Sequence, residues 1–408
     1  MDIDRIRPPS VLLLLPPAPS ASFEQLQQAY RPPISGVFAK LARSIKKTNL
    51  LAPMDIAICI PGLLSPSCRP RTRLFAPLQR LLADVYKLIG IASIEQDVEL
   101  DVPGGIDACV FFLDFDPVPG LESSQQKPPT SQLGPIIDLQ TLAKCGRPRD
   151  LIFYPDNASG RKLIMAFNDF YSSFRGSSAG ISQLIPGGLE KTQPGPILVP
   201  ENGKNSTACY STIVGGTFDH IHLGHKLLLT ATVLPLEPFS EAESGRERLL
   251  TVGITGDQLL VNKKYAEFLE SWEERHQRTG VFLSSIIDFR PPGKSATKLQ
   301  QMSLPEPNGK YFLMEMGPGL VFKFVEISDP FGPTISEEKI DVLVISKETR
   351  SGGAAVNDER AKKGWKSLDV FEIDVLETGD VPASETDNFA SKLSSTEIRR
   401  RRMDMAKK

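Results

Sequence analysis

Three of the chain's four histidines lie within six residues, in the run Gly215-Gly216-Thr217-Phe218-Asp219-His220-Ile221-His222-Leu223-Gly224-His225. The β-branched segment 211–214 before this run predicts a short strand, and the apolar segment 226–231 after it predicts a helix. Helix N–H groups attract anions, and glycine lets a ligand approach the backbone closely. A strand, two turn glycines and a helix start with imidazoles therefore favour a phosphate-binding site.

Zinc binding is the main alternative for this histidine cluster. Zinc needs a third protein ligand, and the remaining histidine, His276, is predicted to lie on a Glu/Arg-rich surface helix. His220 is assigned a structural or surface role. The five cysteines are scattered and contain no CxxC pair. The pattern argues against a zinc site or a disulfide framework and fits a reducing cytosol.

Length and charge restrict the class of protein. A chain of 408 residues is too long for one ordinary core, so two domains are expected. The net charge of −2 gives no general attraction for nucleic acid or an anionic membrane, so an anion site must be local. The apolar run 11–15 is too short to span a bilayer and has a poor context for a signal peptide. Neither nucleic acid nor a membrane is an expected partner.

The first half of the chain alternates between predicted strands and helices. Strands are predicted at 11–15, 56–60, 108–113 and 151–154, and helices at 22–47, 73–90 and 162–174. A break at Pro32-Pro33 is expected in the first helix. The sequence therefore predicts an N-terminal α/β domain over residues 1–175. A Pro/Ser/Gln-rich loop is expected at 117–135, and a Gly/Ser/Pro-rich linker at 176–205.

The second half, residues 206–408, alternates in the same way. Strands are predicted at 211–214, 249–254, 322–327, 342–345 and 370–373, with helices near 222–235, at 263–288 and from 395. This order predicts a second α/β domain with a parallel sheet that is covered on both faces. Ligands of such sheets bind at the carboxyl ends of the strands, which is where the histidine run follows its strand.

Two motifs carry a resemblance to a known superfamily. His222-Leu223-Gly224-His225 resembles the HxGH signature of the nucleotidyltransferases. The run Leu393-Ser394-Ser395-Thr396-Glu397-Ile398-Arg399 resembles their second, SSTxxR signature. The two motifs stand in the right order, on a predicted strand-to-helix and a predicted loop-to-helix element. The resemblance implies a Rossmann-like, doubly wound parallel sheet for the C-terminal domain.

The segments between these motifs narrow the resemblance. The runs 327–334, 344–349 and 352–357 are similar to the eukaryotic-type phosphopantetheine adenylyltransferases, and the likeness covers about residues 208–402. Some members of that family are fused to a dephospho-coenzyme A kinase, which needs a P-loop. The nearest P-loop-like run is Gly293-Lys294-Ser295, and the position of its first glycine is Asp288. No fused kinase is therefore expected.

The resemblance implies transfer of AMP from ATP to 4′-phosphopantetheine, which gives dephospho-coenzyme A and pyrophosphate. The attacking phosphate oxygen is already ionised at neutral pH, so no serine or cysteine nucleophile is needed. Catalysis then depends on in-line positioning and on neutralising charge at the α-phosphorus. Mg²⁺ is expected to accompany ATP, and the sequence shows no all-protein cage for it.

The resemblance also assigns roles to individual residues. Catalytic roles fall on His225, on Lys263 or Lys264, and on Arg399; the sequence does not choose between the two lysines. Acceptor binding is assigned to Thr217, Asp257 and Lys264. ATP binding is assigned to a larger set of glycine, aromatic, imidazole, hydroxyl and guanidinium groups: Gly216, Thr217, Phe218, His222, His225, Ser394, Ser395, Thr396 and Arg399.

Other functions remain open at this point. A cytidylyltransferase or a nicotinamide mononucleotide adenylyltransferase would have a similar first motif. Cytidylyltransferases usually carry an Arg-Thr-x-Gly-Ile-Ser run before the second motif, and residues 387–392 here do not match it. A non-catalytic scaffold of the coenzyme A pathway is an alternative of another class, in which the N-terminal domain docks other biosynthetic enzymes. The expected location is the cytoplasm, with the nucleus as an alternative.

Overall fold

The computed structural model describes residues 8–45, 50–117, 133–177, 179–192, 197–201, 207–239, 245–293, 298–304, 308–317, 319–374, 376 and 394–407. Most of the predicted loop at 117–135, parts of the predicted linker, Lys294, Ser295 and Leu393 lie outside these residues. Within the described ranges, no helix is long and apolar enough to cross a membrane.

A six-stranded parallel sheet forms the first α/β unit, in the order β4-β3-β2-β1-β5-β6. The central strand β1 is buried along its whole length, which explains its unbroken apolar sequence. The strands are β1 Val11–Leu15, β2 Ala52–Cys59, β3 Ile106–Asp114, β4 Ile136–Asp138, β5 Leu151–Pro155 and β6 Ile181–Ile185. The helices are α1 Phe23–Ile45, α2 Phe75–Glu95, α3 Leu139–Lys144 and α4 Ala158–Arg175.

Helix α1 runs through Pro32-Pro33, so the predicted break there is wrong. A proline inside a helix has no N–H and leaves the carbonyl four residues earlier without its usual partner. For Pro32 that carbonyl belongs to Gln28, and it accepts a hydrogen bond of 2.9 Å from the backbone N–H of Leu189. A tertiary contact that the local sequence does not reveal thus replaces the missing helical bond.

Strand β6 lies within the segment that composition predicts to be a linker. It pairs in parallel with β5, and much of its length is exposed because it is an edge strand. Its sequence, Ile-Ser-Gln-Leu-Ile, has no clear alternation to distinguish it from a loop. The proposed domain boundaries themselves stay a prediction.

The second α/β unit is a seven-stranded sheet in the order β13-β12-β7-β8-β11-β10-β9. Five of these strands are parallel, and β10 is antiparallel to both β11 and β9 at one edge. The strands are β7 Ser211–Gly216, β8 Arg248–Thr255, β9 Lys298–Ser303, β10 Lys310–Gly317, β11 Leu320–Ile327, β12 Val342–Ser346 and β13 Asp369–Ile373. The helices are α5 Leu223–Val233, α6 Trp272–Ile287, α7 Arg350–Lys362 and α8 Ser395–Ala406.

The predicted α/β class is confirmed for both units, and the second sheet differs in one respect. Its antiparallel edge was not expected from the sequence. Every residue of β9 is exposed and most are polar, so this strand lacks the apolar pattern that marks a buried one. The parallel part of the sheet carries the strands that precede the predicted site residues.

The two units are joined through a buried aromatic residue that follows α6. Phe289 is fully buried, and its ring centroid lies 4.8 Å from that of Phe111 in β3. The guanidinium of Arg147 lies 4.0 Å from the Phe289 ring and pairs with Asp55 at 3.0 Å. Arg147 also donates to the carbonyl of Asp288 at 2.9 Å. The end of α6 is therefore part of the core of the first sheet.

Substitution Phe289→Ala is expected to destabilise the chain by about 3–5 kcal/mol, because a fully buried aromatic side chain leaves a cavity that neighbours only partly fill. Val281→Ala, on the same helix but 70% exposed, is the control and should change stability by less than about 0.5 kcal/mol. The urea midpoint of unfolding measures both variants. Equal midpoints would show that Phe289 does not hold the two units together.

Candidate active site

A cavity of about 320 Å³ lies at the carboxyl ends of β7, β8, β11 and β12. Gly215 and Gly216 line it from the end of β7, and Thr255 lines it from the end of β8. Three separate segments complete the wall: 329–334 after β11, Ser346 with Thr349 after β12, and Gly352-Gly353 at the start of α7. The fold thus brings the glycine turn, the segments after β11 and β12 and the start of α7 to one strand-end cleft, where parallel sheets bind ligands. The residues that line it do not include His222, His225 or the segment 394–399.

Close packing restricts the second glycine at the end of β7, Gly216. A Cβ atom at Gly216 would lie 3.0 Å from the ring of Phe218, closer than side-chain carbons normally approach. Phe218 itself is fully buried and has a φ of +51°, in the left-handed region. The turn that leads from β7 to the histidines is therefore tight and leaves backbone, not side chain, facing the cavity.

His222 and His225 form a stacked pair at the start of α5. His222 is the N-cap residue of the helix, and its side chain makes no capping hydrogen bond. The ring centroids of the two histidines are 3.9 Å apart with an interplanar angle of 23°. In the described part of the chain neither Nδ1 atom has a hydrogen-bond partner. Two imidazoles thus lie beside an uncapped helix N-terminus, which attracts anions.

Both rings are neutral at physiological pH. Burial lowers the pKa of His222 well below its ordinary value, and the neighbouring His225 lowers it further. Burial also lowers the pKa of His225, to about 4. A neutral imidazole still donates one hydrogen bond and accepts another. The pair is suited to hydrogen bonding with phosphate oxygens rather than to acting as a permanent pair of cations.

His220 has a structural environment. Its Nε2 lies 2.9 Å from the carbonyl oxygen of Phe268, and its Nδ1 lies 3.1 Å from Oε1 of Glu270. Its backbone N–H donates to Oε2 of the same glutamate at 2.9 Å. The φ of His220 is +48°, so these bonds hold an unfavourable backbone conformation in place.

Arg399 lies behind the histidine loop. Its side chain is 3% exposed, and Nη1 pairs with Oδ2 of the fully buried Asp219. Its Nε donates to the carbonyl of Lys264 at 3.0 Å, and Nη2 donates to the hydroxyl of Thr396 at 3.1 Å. The guanidinium therefore joins three segments: the histidine loop, the loop that carries the two lysines, and α8.

The hydroxyl run before and within α8 contacts the same loop. Ser395 Oγ donates to the carbonyl of Asp219 at 2.7 Å, and the backbone N–H of Glu397 donates to Ser394 Oγ at 3.4 Å. Ser394 thus caps the helix while Ser395 attaches it to the loop. The start of α8 therefore contacts the loop that leads into α5.

Lys263 and Lys264 are exposed in the segment between two short 3₁₀ turns, 257–259 and 266–268. The predicted helix over 263–288 therefore begins later, at Trp272, because Ser271 and Glu274 form a capping box there. Asp257 lies in the first of these turns, with a half-exposed side chain whose Oδ1 accepts from Arg275 Nη2 at 2.6 Å.

Arg275 is a buried residue that bonds two of the loops around the candidate site, a role that the sequence did not predict. It is fully buried and donates to the carbonyls of Thr217 at 2.7 Å and Thr255 at 2.8 Å. It thereby joins the ends of β7 and β8. A signal existed in the sequence: Arg275 is three residues after Trp272 and eight before Leu283, on the buried face of α6.

His276 lies on the same buried face, so its predicted surface position is wrong. Its side chain is buried, and its ring stacks at 4.2 Å on Phe312 and at 5.3 Å on Trp272. Glu273, Glu274 and Arg278 of α6 are exposed, whereas Arg275 is buried, so the charge-rich sequence of the helix resembles that of a surface helix. His276 is therefore a core residue within an aromatic stack.

One grouping in the described residues has the composition of a metal site: Asp219, His220 and Glu270. All three are buried, and Asp219 is already paired with Arg399. Glu270 pairs with Arg278 at 2.8 Å. Mg²⁺ prefers oxygen ligands, keeps several waters, and is usually bound together with substrate phosphates. This dry, arginine-paired grouping does not fit Mg²⁺.

A second and larger cavity, of about 810 Å³, lies between the two units. One wall is the N-terminal loop 99–103, and another is formed by His220, Ile221 and His222. Side chains of α6 and α8, among them Arg278 and Arg402, close the remaining sides. His222 therefore lines this cavity, which the N-terminal unit helps to form, and is not among the residues that line the strand-end cavity.

Comparison with known proteins places this chain in a family. Residues 1–191 match a family described as "Domain of unknown function (DUF8446)". The uncharacterized protein C1F12.08 of Schizosaccharomyces pombe is 36% identical over 371 residues, which cover 90% of this chain and 90% of that protein. The chain belongs to the same family as C1F12.08.

About half of the chain is also homologous to proteins named phosphopantetheine adenylyltransferase. The Saccharomyces cerevisiae protein is 34% identical over 200 residues, 49% of this chain, and the match spans 51% of the yeast protein's length. The Pyrobaculum aerophilum protein is 27% identical over 191 residues, which cover 47% of this chain and 90% of that protein. This homology supports a nucleotidyltransferase role at the general level.

The depressed pKa of His225 makes stability depend on pH. The unfolded chain takes up a proton near the ordinary value of 6.5, whereas the folded chain resists protonation down to about pH 4. Stability is therefore fully present above pH 6.5 and is lost as the pH falls, by at most about 3 kcal/mol for this ring. Urea unfolding of His225→Gln between pH 4 and 7 should give a flatter pH dependence than the parent chain. Parallel curves would contradict the assignment.

The buried Asp219–Arg399 ion pair should make the effects of substituting its two residues on stability non-additive. Asp219→Asn or Arg399→Met alone should destabilise by about 3–5 kcal/mol, because each leaves a buried partner uncompensated. The double variant should lose less than the sum by at least about 1 kcal/mol. Urea unfolding of the four proteins measures the cycle. Additive losses would mean that the two side chains do not interact in solution.

Proposed function

We propose that this chain is a pantetheine-phosphate adenylyltransferase, which transfers AMP from ATP to 4′-phosphopantetheine. The observation that carries the proposal is the stacked His222–His225 pair at the start of α5, directly after the glycine turn that lines the strand-end cavity. Identity to phosphopantetheine adenylyltransferases over about half of the chain supports the choice of acceptor. We assign that similarity to the C-terminal unit, because both signature motifs lie there.

In the proposed reaction an ionised phosphate oxygen of the acceptor attacks the α-phosphorus of ATP in line. The new bond joins that oxygen to the α-phosphorus, and the bond from the α-phosphorus to the α,β-bridging oxygen breaks as pyrophosphate leaves. Charge moves onto the pyrophosphate oxygens in the transition state. Preorganised donors placed where this charge develops lower the barrier, and the neutral imidazole of His225 is the donor we assign to this task.

The other residues divide into binding and positioning groups. Gly216, Thr217 and Phe218 present backbone towards the acceptor phosphate and the nucleotide, and His222 binds on the nucleotide side. The exposed Lys263 and Lys264 are free to move towards the phosphates, since the Lys264 carbonyl, not its ammonium, is fixed by Arg399.

The start of α8 contributes Ser394, Ser395 and Thr396 to the β- and γ-phosphates in this proposal. Arg399 acts behind them through its pair with Asp219.

Asp257, paired with Arg275, borders the acceptor side. Mg²⁺ bound to ATP would supply charge neutralisation at the phosphates, with its ligands coming from the nucleotide and water rather than from a protein cage.

The proposal is tested by pyrophosphate release from Mg-ATP with three acceptors: 4′-phosphopantetheine, phosphocholine and nicotinamide mononucleotide. Release with 4′-phosphopantetheine alone is expected. Release with a different acceptor would keep the nucleotidyltransferase role and overturn the substrate, and no release with any of them would favour a binding or scaffold role. His225→Ala should lower kcat by about 100- to 1,000-fold with little change in ATP affinity. His276→Gln, which removes a histidine from the aromatic stack, is the control and should keep kcat.

A further inference from the structure

Lys226, the residue after the second motif histidine, is a buried cation at the boundary between the two units. Its side chain is 2% exposed. Its Nζ lies 2.6 Å from Oδ1 of Asp101, 2.5 Å from Oδ1 of Asp107 and 3.0 Å from the carbonyl oxygen of Ala108. An ammonium has three donors, and all three acceptors here come from the N-terminal unit.

The charge of Lys226 depends on these two carboxylates. Burial by itself disfavours an ammonium, but Asp101 and Asp107 outweigh it and hold the pKa of Lys226 well above its usual value. An isolated buried charge is strongly unfavourable, whereas a paired and hydrogen-bonded one is tolerated. The side chain of Lys226 is therefore fixed to the N-terminal unit rather than free to reach solvent.

Fixing Lys226 also fixes the histidine pair. His222, His225 and Lys226 are related by three and four residues, so they lie on one side of the first turn of α5. The backbone N–H of Lys226 donates to the carbonyl of His222 at 2.9 Å. A tether at Nζ restricts the rotation of this turn about its axis, and the orientation of both rings follows from that rotation.

The loop that supplies Asp101 also lies near the histidines. It lines the same 810 Å³ cavity as His220 and His222. Asp101 has a φ of +60°, a conformation that is uncommon for a residue other than glycine, and its backbone N–H donates to Ile106 at 3.0 Å. The N-terminal unit thus holds an unfavourable backbone conformation at the position where its carboxylate meets Lys226.

We propose that the N-terminal unit positions the catalytic histidines of the C-terminal unit, through the Lys226–Asp101–Asp107 cluster. These three are positioning residues: they set the orientation of the His222 and His225 rings and do not touch the reacting phosphates. The inference rests on the proposed nucleotidyl transfer and gives the N-terminal unit a role in it. The transferase half then needs the other half of the chain for full turnover.

The main test is Lys226→Met in the full chain, with Arg147→Met as the matched control. Arg147 also contacts the other unit, through the Asp288 carbonyl and the Phe289 ring, while its ion pair with Asp55 stays within the N-terminal unit. Lys226→Met should lower kcat by about 10- to 100-fold, since small misplacement of catalytic groups has effects of this size. The KM values for ATP and the acceptor should stay within about twofold. Arg147→Met should keep kcat. An unchanged kcat in Lys226→Met, or an equal loss in both variants, would overturn the proposal.

A second variant covers the case in which Lys226→Met fails to fold. The triple variant Lys226→Met/Asp101→Asn/Asp107→Asn removes all three charges at nearly constant shape, and hydrophobic or neutral replacement of a whole buried cluster is commonly tolerated. It should show the same loss of kcat with unchanged KM. Wild-type kcat in the triple variant would overturn the proposal.

Ring signals of the histidines separate this inference from the proposed function. The chain has only four histidines, so their ring protons can be followed by NMR in the full chain without any substrate. The His222 and His225 signals should shift in Lys226→Met and stay in place in Arg147→Met. If the parent chain transfers no nucleotide to any acceptor, the proposed function fails, and these shifts alone decide whether the cluster orients the rings. Unchanged signals would overturn the positioning role.

Discussion

The buried ion pair between Asp219 and Arg399 is the contact on which the site depends most. It lies in the middle of the turn between β7 and α5, where Phe218 and His220 both have left-handed backbone conformations. Such a turn does not persist without strong tertiary bonds. Because Arg399 comes from the last described helix and also donates to the Lys264 carbonyl, one guanidinium connects α8, the histidine loop and the loop that carries the two lysines.

Arg275 and Lys226 extend this arrangement in two directions. Arg275 donates to the carbonyl of Thr217, just after β7, and to that of Thr255, the last residue of β8. It thereby holds the ends of these two strands together beside the strand-end cavity. Lys226 links the helix that carries the histidines to the N-terminal unit. All three cations are buried, and each is bonded to at least three acceptors, so each one holds neighbouring segments in position.

The structure of the C-terminal unit depends on contacts with the N-terminal unit. Phe289, which follows α6, is buried against β3, and Lys226 is bonded both to β3 and to the loop before it. A C-terminal fragment alone would expose an aromatic ring and leave a buried ammonium without its carboxylates. Residues of the first unit are thus needed to keep Phe289 and Lys226 in place.

The sequence by itself determined the α/β class and the strands that precede the histidine run and the lysine segment, because these follow from apolar periodicity and from short local patterns. It did not reveal the continuous α1, whose Pro32 is compensated by Leu189, nor the buried positions of His276 and Arg275. Those depend on which face of a helix the rest of the chain covers.

The tertiary structure alone decided that Arg399 meets Asp219 and that Lys226 meets Asp101, since contacts between residues more than a hundred positions apart leave no local pattern to read.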